Sequence, residues 1–562
     1  MNKPTSIDPD RLAAILARLR NQNKVTHVTQ LVNPNPPAVA ETKAEAEVEI
    51  HETDKNGNTI VYNTKQQLAV DTGGRGDNCV IVGAAGTGKT TSQKGLVNRL
   101  IHNNIAGVLT DCESHKHLRN GTPGIVIVAF TRRAVQNIRR NMPADLQNNC
   151  ITIHKLLEYQ PESVEYTDEE GNERSKMQFL PKRNKENPLP RSIHTIIVEE
   201  SSMLGLDLYE QLRDAFGHQV QWIFLGDIQQ LPPVFGPAIL GFKMLEYPVI
   251  ELTEVYRQAM DSPIIRLAHR ILSGTPIKGE EYPQWKVEGK LTLHPWKKKI
   301  KWEDALNAAC LFTVQAIDNG LYDPDEDMIL CPFNKSFGTD EINRKVANHL
   351  ARKRNAVTFE IRAGYDLVYF SPGDKVLYDK EDATILSIEP NPGYTGKPTQ
   401  PATNTLDYWG CNGGSGTVVV ESEDDVDLDV LLANVQSLDT GERRKSSSHL
   451  VTILMDNSDQ PVKIDTVGGI NALALGYALT VHKSQGSEWR KVFIYLHQSH
   501  NTMIQREMLY TAVTRAKEEL YVICEPETFT QGIVNQRVKG NTIEEKAEHF
   551  KGKKVELGKR VD

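Results

Sequence analysis

Cysteine is scarce in this chain: seven among 562 residues, at Cys79, Cys112, Cys150, Cys310, Cys331, Cys411 and Cys524, with no CxxC pair. That scatter excludes a zinc framework and fits reduced thiols rather than a disulfide scaffold. The cluster Cys112, His115 and His117 in "DCESHKH" has donor atoms but no second ligand pair. No apolar run approaches the ~20 residues that span a bilayer. The opening "MNKPTSIDPD" has no apolar signal region, so an intracellular protein without a membrane partner is expected. Positive charge is not in excess either, since 65 Lys and Arg against 73 Asp and Glu leave a net charge of −8. This excludes a chain coated in positive charge but not a local basic groove for nucleic acid. Basic clusters do occur at Arg132, Arg133, Arg139 and Arg140; at Lys182, Arg183 and Lys185; at Lys297, Lys298, Lys299 and Lys301; and at Arg352, Lys353 and Arg354. Each alone reads as a solvated face.

Hydrophobic residues at 39% and charged residues at 25% are ordinary for a globular chain of this length. Residues 1–55 form an extension, in which "DPDRLAAILARLR" has a helix cap at Asp8 and an apolar face of Leu12, Ile15, Leu16 and Leu19. A linker-like, Pro-rich and acidic stretch follows, so the helix is a candidate for docking a protein partner or for packing on its own domain. From about 60 to 255, the apolar runs "NCVIVGAAG", "GIVIVAFT", "HTIIVEE" and "QWIFLGD" alternate with helical patterns. Short strands separated by helices predict a parallel sheet covered on both faces. Polar strand-like segments around "EEGN" predict a hairpin at about 160–190, and a second α/β set appears near 325–350 and 470–525. The stretch 356–465 reads as a β-rich insertion, and 536–562 as a charged C-terminal tail.

Two motifs carry chemistry. "GAAGTGKT", from Gly83 through Ala84, Ala85, Gly86, Thr87, Gly88 and Lys89 to Thr90, fits G-x-x-x-x-G-K-[ST] between a strand and a helix, with Thr91 next. Glycines let backbone N–H groups wrap phosphates at a helix N-terminus, Lys89 neutralises the β/γ-phosphates, and Thr90 is a ligand for Mg²⁺. The strand "TIIV" runs straight into Glu199 and Glu200. Either the strand simply surfaces into solvent there, or the pair forms a metal and water site at the carboxyl edge of the sheet.

"FLGDIQQLPPV" (224–234), "LTEVYRQ" (252–258), "GYALTVHKSQGSEW" (476–489) and "LYTAVTRAK" (509–517) follow in order, with "YNTKQQLAV" ahead of the phosphate loop. Together the motifs resemble those of superfamily 1 helicases, nearest the 5′-to-3′ group of RecD-like enzymes and the Dda helicase of T-even phages. The resemblance covers about residues 60–525. It implies an α/β fold of two RecA-like motor domains, at 56–255 and at 256–355 with 466–535, carrying a β-hairpin and a small SH3-type β-barrel at 356–465. It also implies ATP and Mg²⁺ in the cleft, single-stranded and forked duplex DNA as partners, and 5′-to-3′ movement.

Carried over by position, the resemblance gives Glu199 the metal and Glu200 the attacking water. Gln66 hydrogen-bonds adenine, while Asp227 and Gln230 read the γ-phosphate. Arg257 and Arg515 act as arginine fingers, and Gly486 and Glu488 line the nucleotide side of the second motor. On the DNA face, Thr131, Thr152 and Thr480 donate to phosphates, with Arg132 and His482 in the same segments, while Phe130 and His154 stack on bases. Stacking is worth about 1–3 kcal/mol per base, comparable with the roughly 1.4 kcal/mol of a duplex step. His154 and His482 read equally as core histidines, and the acidic hairpin tip lacks an aromatic wedge. The rival functions are an RNA helicase of the same superfamily and an ATP-driven translocase that remodels protein–DNA complexes. A binding module with a dead motor is disfavoured by the full residue set.

Overall fold

The computed structural model describes residues 60–557 except 168–172, 234–235, 255–260, 296–299, 364–365, 379–380, 395–445, 457 and 459. Outside the described residues lie the N-terminal helix and its partner surface, Arg257, the hairpin tip, Lys297 to Lys299, Cys411 and much of the β-rich stretch.

Strands are numbered along the chain. In lobe one, β1 (Cys79–Gly83), β2 (Ile125–Ala129), β3 (Cys150–Thr152), β6 (Thr195–Val198), β7 (Gln221–Gly226) and β8 (Val249–Leu252) form one sheet in the order β3-β2-β6-β7-β1-β8. Every pairing is parallel. Strands β1, β2, β6 and β7 are buried throughout, as their continuous apolar runs require when helices cover both faces. In lobe two, β9 (Leu291–Pro295), β10 (Met328–Cys331), β18 (Ala478–Thr480), β19 (Trp489–Tyr495) and β20 (Ala516–Cys524) pair in parallel in the order β18-β10-β19-β20-β9. Both sheets present the carboxyl ends of their strands, where loops of an open α/β sheet bind ligands.

Two antiparallel units interrupt this plan. In lobe one, β4 (Tyr159–Thr167) pairs with β5 (Glu173–Pro181). In lobe two, β13 (Lys375–Tyr378), β14 (Glu381–Pro390), β15 (Ser446–Met455), β16 (Pro461–Thr466) and β17 (Leu473–Leu475) form a sheet in the order β16-β15-β14-β13-β17. The pair β11 (Phe359–Ala363) and β12 (Asp366–Phe370) shares its core, which includes Phe359, Ile361, Phe370, Ile385 and Ile453. The unit therefore extends to Leu475, ten residues past the expected boundary at 465, because β17 pairs with β13. Its root is a buried ion pair, Arg354 to Asp374 at 2.6 Å, to which the Tyr477 hydroxyl adds a bond at 3.1 Å.

The charged C-terminal segment is a docked element, not a loose tail. Its helix (Ile543–Leu557) lays Phe550 edge-on against Phe242, with ring centroids 5.2 Å apart. Gly241 is the socket, since a Cβ there would lie 2.2 Å from the Phe550 ring. Lys546 is buried as well and donates to the Val538 carbonyl at 3.1 Å. A few inward side chains thus anchor a sequence whose composition is polar.

Emptying that socket by Phe550→Ala costs about 3–5 kcal/mol of packing, and Gly241→Ala fills it with a methyl. Both variants should release the terminal helix while the lobes stay folded. Limited proteolysis within 543–557 should accelerate by more than about tenfold; unchanged protection in both would show that the ring does not hold the helix.

Candidate nucleotide cleft and nucleic-acid face

The phosphate loop leaves β1 at Gly83 and enters a helix, α2 (Lys89–His102), α1 being the preceding Thr64–Gly74. Gly86 and Gly88 turn it with φ of 82° and 83°, the left-handed region open to glycine. A Cβ on Gly83 would lie 2.4 Å from Thr87 Oγ1, so only glycine allows the loop to close on itself. The Lys89 ammonium donates to the carbonyls of Gly83 at 2.6 Å and Ala84 at 3.1 Å. A cation resting on its own loop's carbonyls, beside a ring of backbone N–H groups, suits a polyphosphate with a divalent ion. Thr90 is exposed at the first turn of α2, on the same loop. Gln66 is wholly buried behind the loop. Its amide nitrogen donates to Thr87 O at 3.1 Å, and its oxygen accepts from Asn63 N in a capping box of α1. Here it braces the loop from behind.

Glu199 and Glu200 stand at the end of β6, between β2 and β7. Burial, with the Glu200 charge adding to it, lifts the Glu199 carboxyl to about 7 against an opposing pull from Lys89. The Gln93 side chain of α2, wholly buried, approaches the same carboxylate. Glu200 is left-handed at φ 49°, a cost of about 1–3 kcal/mol for a non-glycine residue, which turns its side chain out of the strand line. At the end of β7, Asp227 is 1% exposed and accepts from Gln229 N at 3.0 Å. Gln230 is buried, and its Oε1 has no hydrogen-bond partner among the described residues.

Lobe two closes this edge with helix α4 (Arg506–Val513), α3 being Arg132–Arg139 in lobe one. The Tyr510 hydroxyl donates to Asp227 Oδ2 at 2.6 Å and accepts from Ala85 N at 2.8 Å. Thr511 Oγ1 accepts from Leu231 N at 2.9 Å, while Gln485 Nε2 donates to Leu231 O at 2.8 Å. Arg515, 5% exposed, donates to the carbonyls of Thr511 at 3.0 Å and Ser487 at 3.2 Å and to Thr514 Oγ1 at 3.2 Å. Its guanidinium is held by neutral oxygens of its own lobe. Gly486 packs on α3, where a Cβ would meet Ala134 at 2.9 Å, and its carbonyl accepts from Asn137 at 2.9 Å. Glu488 is exposed and pairs with Lys517 at 3.5 Å.

The expected nucleic-acid residues fall on the neighbouring strand ends. Thr131, after β2, and Thr152, closing β3, cap the next helices by accepting from Ala134 N and Lys155 N. Thr480 closes β18, the edge strand of the other sheet, and accepts from Lys483 N at 3.3 Å. Phe130, His154 and Tyr159 form a chain of edge-on rings, 5.7 and 4.9 Å between centroids, at the base of the hairpin. His482 follows β18 and is partly exposed.

The basic clusters are largely paired. Arg132 binds Glu381 at 3.2 Å and Arg133 binds Asp382, both on β14. Arg183 binds Glu158, Lys185 binds Asp214, and Lys353 binds Asp318. Both ring nitrogens of His115 are engaged, with Leu156 O and with the N–H groups of His117 and Leu118, as a structural histidine rather than a ligand. Sequence reasoning missed Tyr510, Gln485, Gln93 and the acidic pair Glu381 and Asp382. The first two lie inside quoted motifs, whereas nothing local marks the others.

Residues 66–236 match the family model of an AAA domain, and residues 475–523 that of a UvrD-like helicase C-terminal domain. The chain is 26% identical over 465 residues to the ATP-dependent RecD2 DNA helicase of Deinococcus radiodurans, covering 82% of this chain and 49% of that protein. It is 23% identical over 498 residues to the RecBCD enzyme subunit RecD of Mycobacterium tuberculosis, covering 83% and 69%. It spans about half the length of the first of these relatives. A solved Pif1 helicase from Bacteroides, in complex with ADP-AlF3 and ssDNA, superposes with a TM-score of 0.45 at 15% identity, covering 89% of this chain and 98% of that one. Among the described residues no helix is long and apolar enough to cross a membrane.

Because the folded protein holds the Glu199 proton more tightly than the unfolded chain, its stability falls as pH rises from about 4.5 to 7. Glu199→Gln removes that dependence. In EDTA, the gap in unfolding free energy should move toward the variant by up to about 3 kcal/mol between pH 4.5 and 8. A pH-independent gap in denaturant melts would show that the carboxylate is not enclosed.

Proposed function

We propose that this chain, a RecD-like member of helicase superfamily 1, is an ATP-driven DNA helicase that travels 5′ to 3′ on single-stranded DNA. The observation that carries the reading is the meeting of two lobes over one phosphate loop. Lys89, Glu199, Glu200 and Asp227 stand on the sheet edge of lobe one, and Tyr510 reaches Asp227 and Ala85 from lobe two, with Arg515 buried just beyond it in the chain.

In this reading Lys89 leaves the Gly83 and Ala84 carbonyls for the β- and γ-phosphates, with Gly86, Thr87, Gly88 and Thr91 shaping the cradle. Thr90 and Glu199 would hold Mg²⁺, which supplies charge neutralisation at the phosphates when bound. Glu200, turned out by its left-handed backbone, orients the attacking water and takes its proton. Gln230 has a buried amide oxygen to accept a hydrogen bond from that water. Arg515 exchanges neutral carbonyls for the charge developing on the transferred phosphoryl group. The same exchange would draw α4 toward lobe one, converting hydrolysis into movement of one sheet edge past the other. Arg257 is assigned the second finger on its sequence motif alone.

DNA would lie along the strand ends at Thr131, Thr152 and Thr480, with Phe130 and His154 against the bases. Arg132 reaches phosphate only by leaving Glu381. The five-stranded antiparallel sheet is taken as the SH3-type barrel, and β4 with β5 as the hairpin beside the fork.

Forked duplexes with a single 5′ or 3′ tail test the assignment. Unwinding should require the 5′ tail, and poly-dT should stimulate ATP hydrolysis more than poly-U. Unwinding from 3′ tails alone would overturn the polarity, and preference for poly-U would favour an RNA substrate. Glu200→Gln should bind ATP without turning it over, whereas Glu199→Asp should keep activity. Arg515→Ala should lose about 10³–10⁵ in turnover; brisk hydrolysis by either Glu200→Gln or Arg515→Ala would show the roles to be misassigned.

A further inference from the structure

The Tyr510 hydroxyl occupies a phosphate-cradling group. It lies at the lobe boundary, 1% exposed, accepting from the Ala85 N–H at 2.8 Å and donating to Asp227 at 2.6 Å. Ala85 belongs to the loop whose N–H groups wrap the β- and γ-phosphates. The Lys89 ammonium rests on the carbonyls of Gly83 and Ala84, the two residues just before Ala85. The phenol oxygen is therefore at the β/γ end of the loop, presenting to an N–H group the same kind of acceptor as a phosphate oxygen.

We propose that the Tyr510 hydroxyl is a built-in substitute for the terminal phosphate of a nucleoside triphosphate, holding the Ala85 amide until that phosphate displaces it. One N–H cannot serve both acceptors fully, so the phosphate must take over the bond. The displaced hydroxyl keeps Asp227 as acceptor or turns to donate to the incoming oxygen. The bond that ties α4 to the loop is then released, and Arg515 lies five residues beyond Tyr510, bonded to the Thr511 carbonyl. Tyr510 is thus a positioning residue that reports triphosphate, and not diphosphate, to the lobe carrying the arginine. This inference rests on the reading of the loop as an ATP site.

The test is binding of AMP-PNP and of ADP, each with Mg²⁺, to the full chain by calorimetry. Tyr510→Phe removes the competitor for the Ala85 amide, so AMP-PNP should bind roughly three- to tenfold more tightly, while ADP changes by less than about twofold. No change for AMP-PNP, or equal changes for both nucleotides, would overturn the proposal. As a second measurement that leaves the packing intact, 3-fluorotyrosine placed at position 510 gives a fluorine resonance. It should shift with AMP-PNP and stay with ADP; a resonance that AMP-PNP leaves in place would sink the idea even if Tyr510→Phe fails to fold. Lys89→Ala separates the two readings. If it binds both nucleotides like the native chain, the ATP-site assignment fails; if it loses them while Tyr510→Phe shows no selectivity shift, only the role of Tyr510 fails.

Discussion

The segment Asp227 to Leu231 leaves β7 into a buried position where its backbone groups need partners, and lobe two supplies them. Leu231 gives its N–H to Thr511 and its carbonyl to Gln485, while Asp227 takes the Tyr510 hydroxyl. A buried backbone group left without a partner costs about 1–3 kcal/mol, so the loop cannot keep this shape without the second lobe. Gly486 against α3 makes the same point on the other side, since a side chain there would strike Ala134. The cleft is thus the interface through which each lobe satisfies the other. Any ligand that rearranges one of these bonds acts on both lobes.

This dependence explains why the site's cations stand where they do. Lys89 and Arg515 are each solvated by protein carbonyls, with no carboxylate bound to either among the described residues. A carbonyl is a weaker partner for a cation than a phosphate oxygen, because charge-assisted bonds between ions are roughly twice as strong as neutral ones. Both side chains are therefore placed for transfer to an anion. The arginines of α3 are arranged oppositely. Arg132 and Arg133 already have carboxylates, Glu381 and Asp382, so any further anion must compete with a carboxylate for them. The cleft around Lys89 and Arg515 has cations without carboxylate partners among the described residues, whereas Arg132 and Arg133 beside it are already neutralised by the β-rich unit.

Much of this was legible in the sequence, for reasons that differ by element. The parallel strands β1, β2, β6 and β7 are continuous apolar runs of four to six residues, a local signal that burial on both faces imposes. The phosphate loop was legible because its chemistry is local: glycines for positive φ, a lysine and a threonine in fixed spacing. What hid were relationships between distant segments. Arg132 and Glu381 are 249 residues apart, so a basic cluster read alone gives no hint of its partner. The terminal helix hid because one phenylalanine and one buried lysine anchor an otherwise charged stretch, and only the glycine opposite reveals their purpose. Gln66 shows a subtler limit: its motif marked it, but its position behind Thr87 makes it first a brace of the loop.

Position 199 has a glutamate, one methylene longer than an aspartate, and that length has physical consequences. An extra methylene moves a carboxylate by about an ångström, and an error of that size in a reacting group can cost about 10²-fold. Here the longer side chain approaches Gln93 within the field of Lys89, and burial with the Glu200 charge makes its own charge unfavourable without a cation. Glu200 differs in its backbone, which is left-handed at φ 49° and so departs from the line of the strand. Strain of this kind persists only where surrounding structure fixes it, and the bond from Ser201 to the Leu225 carbonyl, at 2.7 Å, locks the turn to β7. In the proposed mechanism the reaction geometry therefore resides in the turn and in Glu200. On that reading Glu199 has only to hold a cation near the phosphate loop, a task that tolerates the extra length.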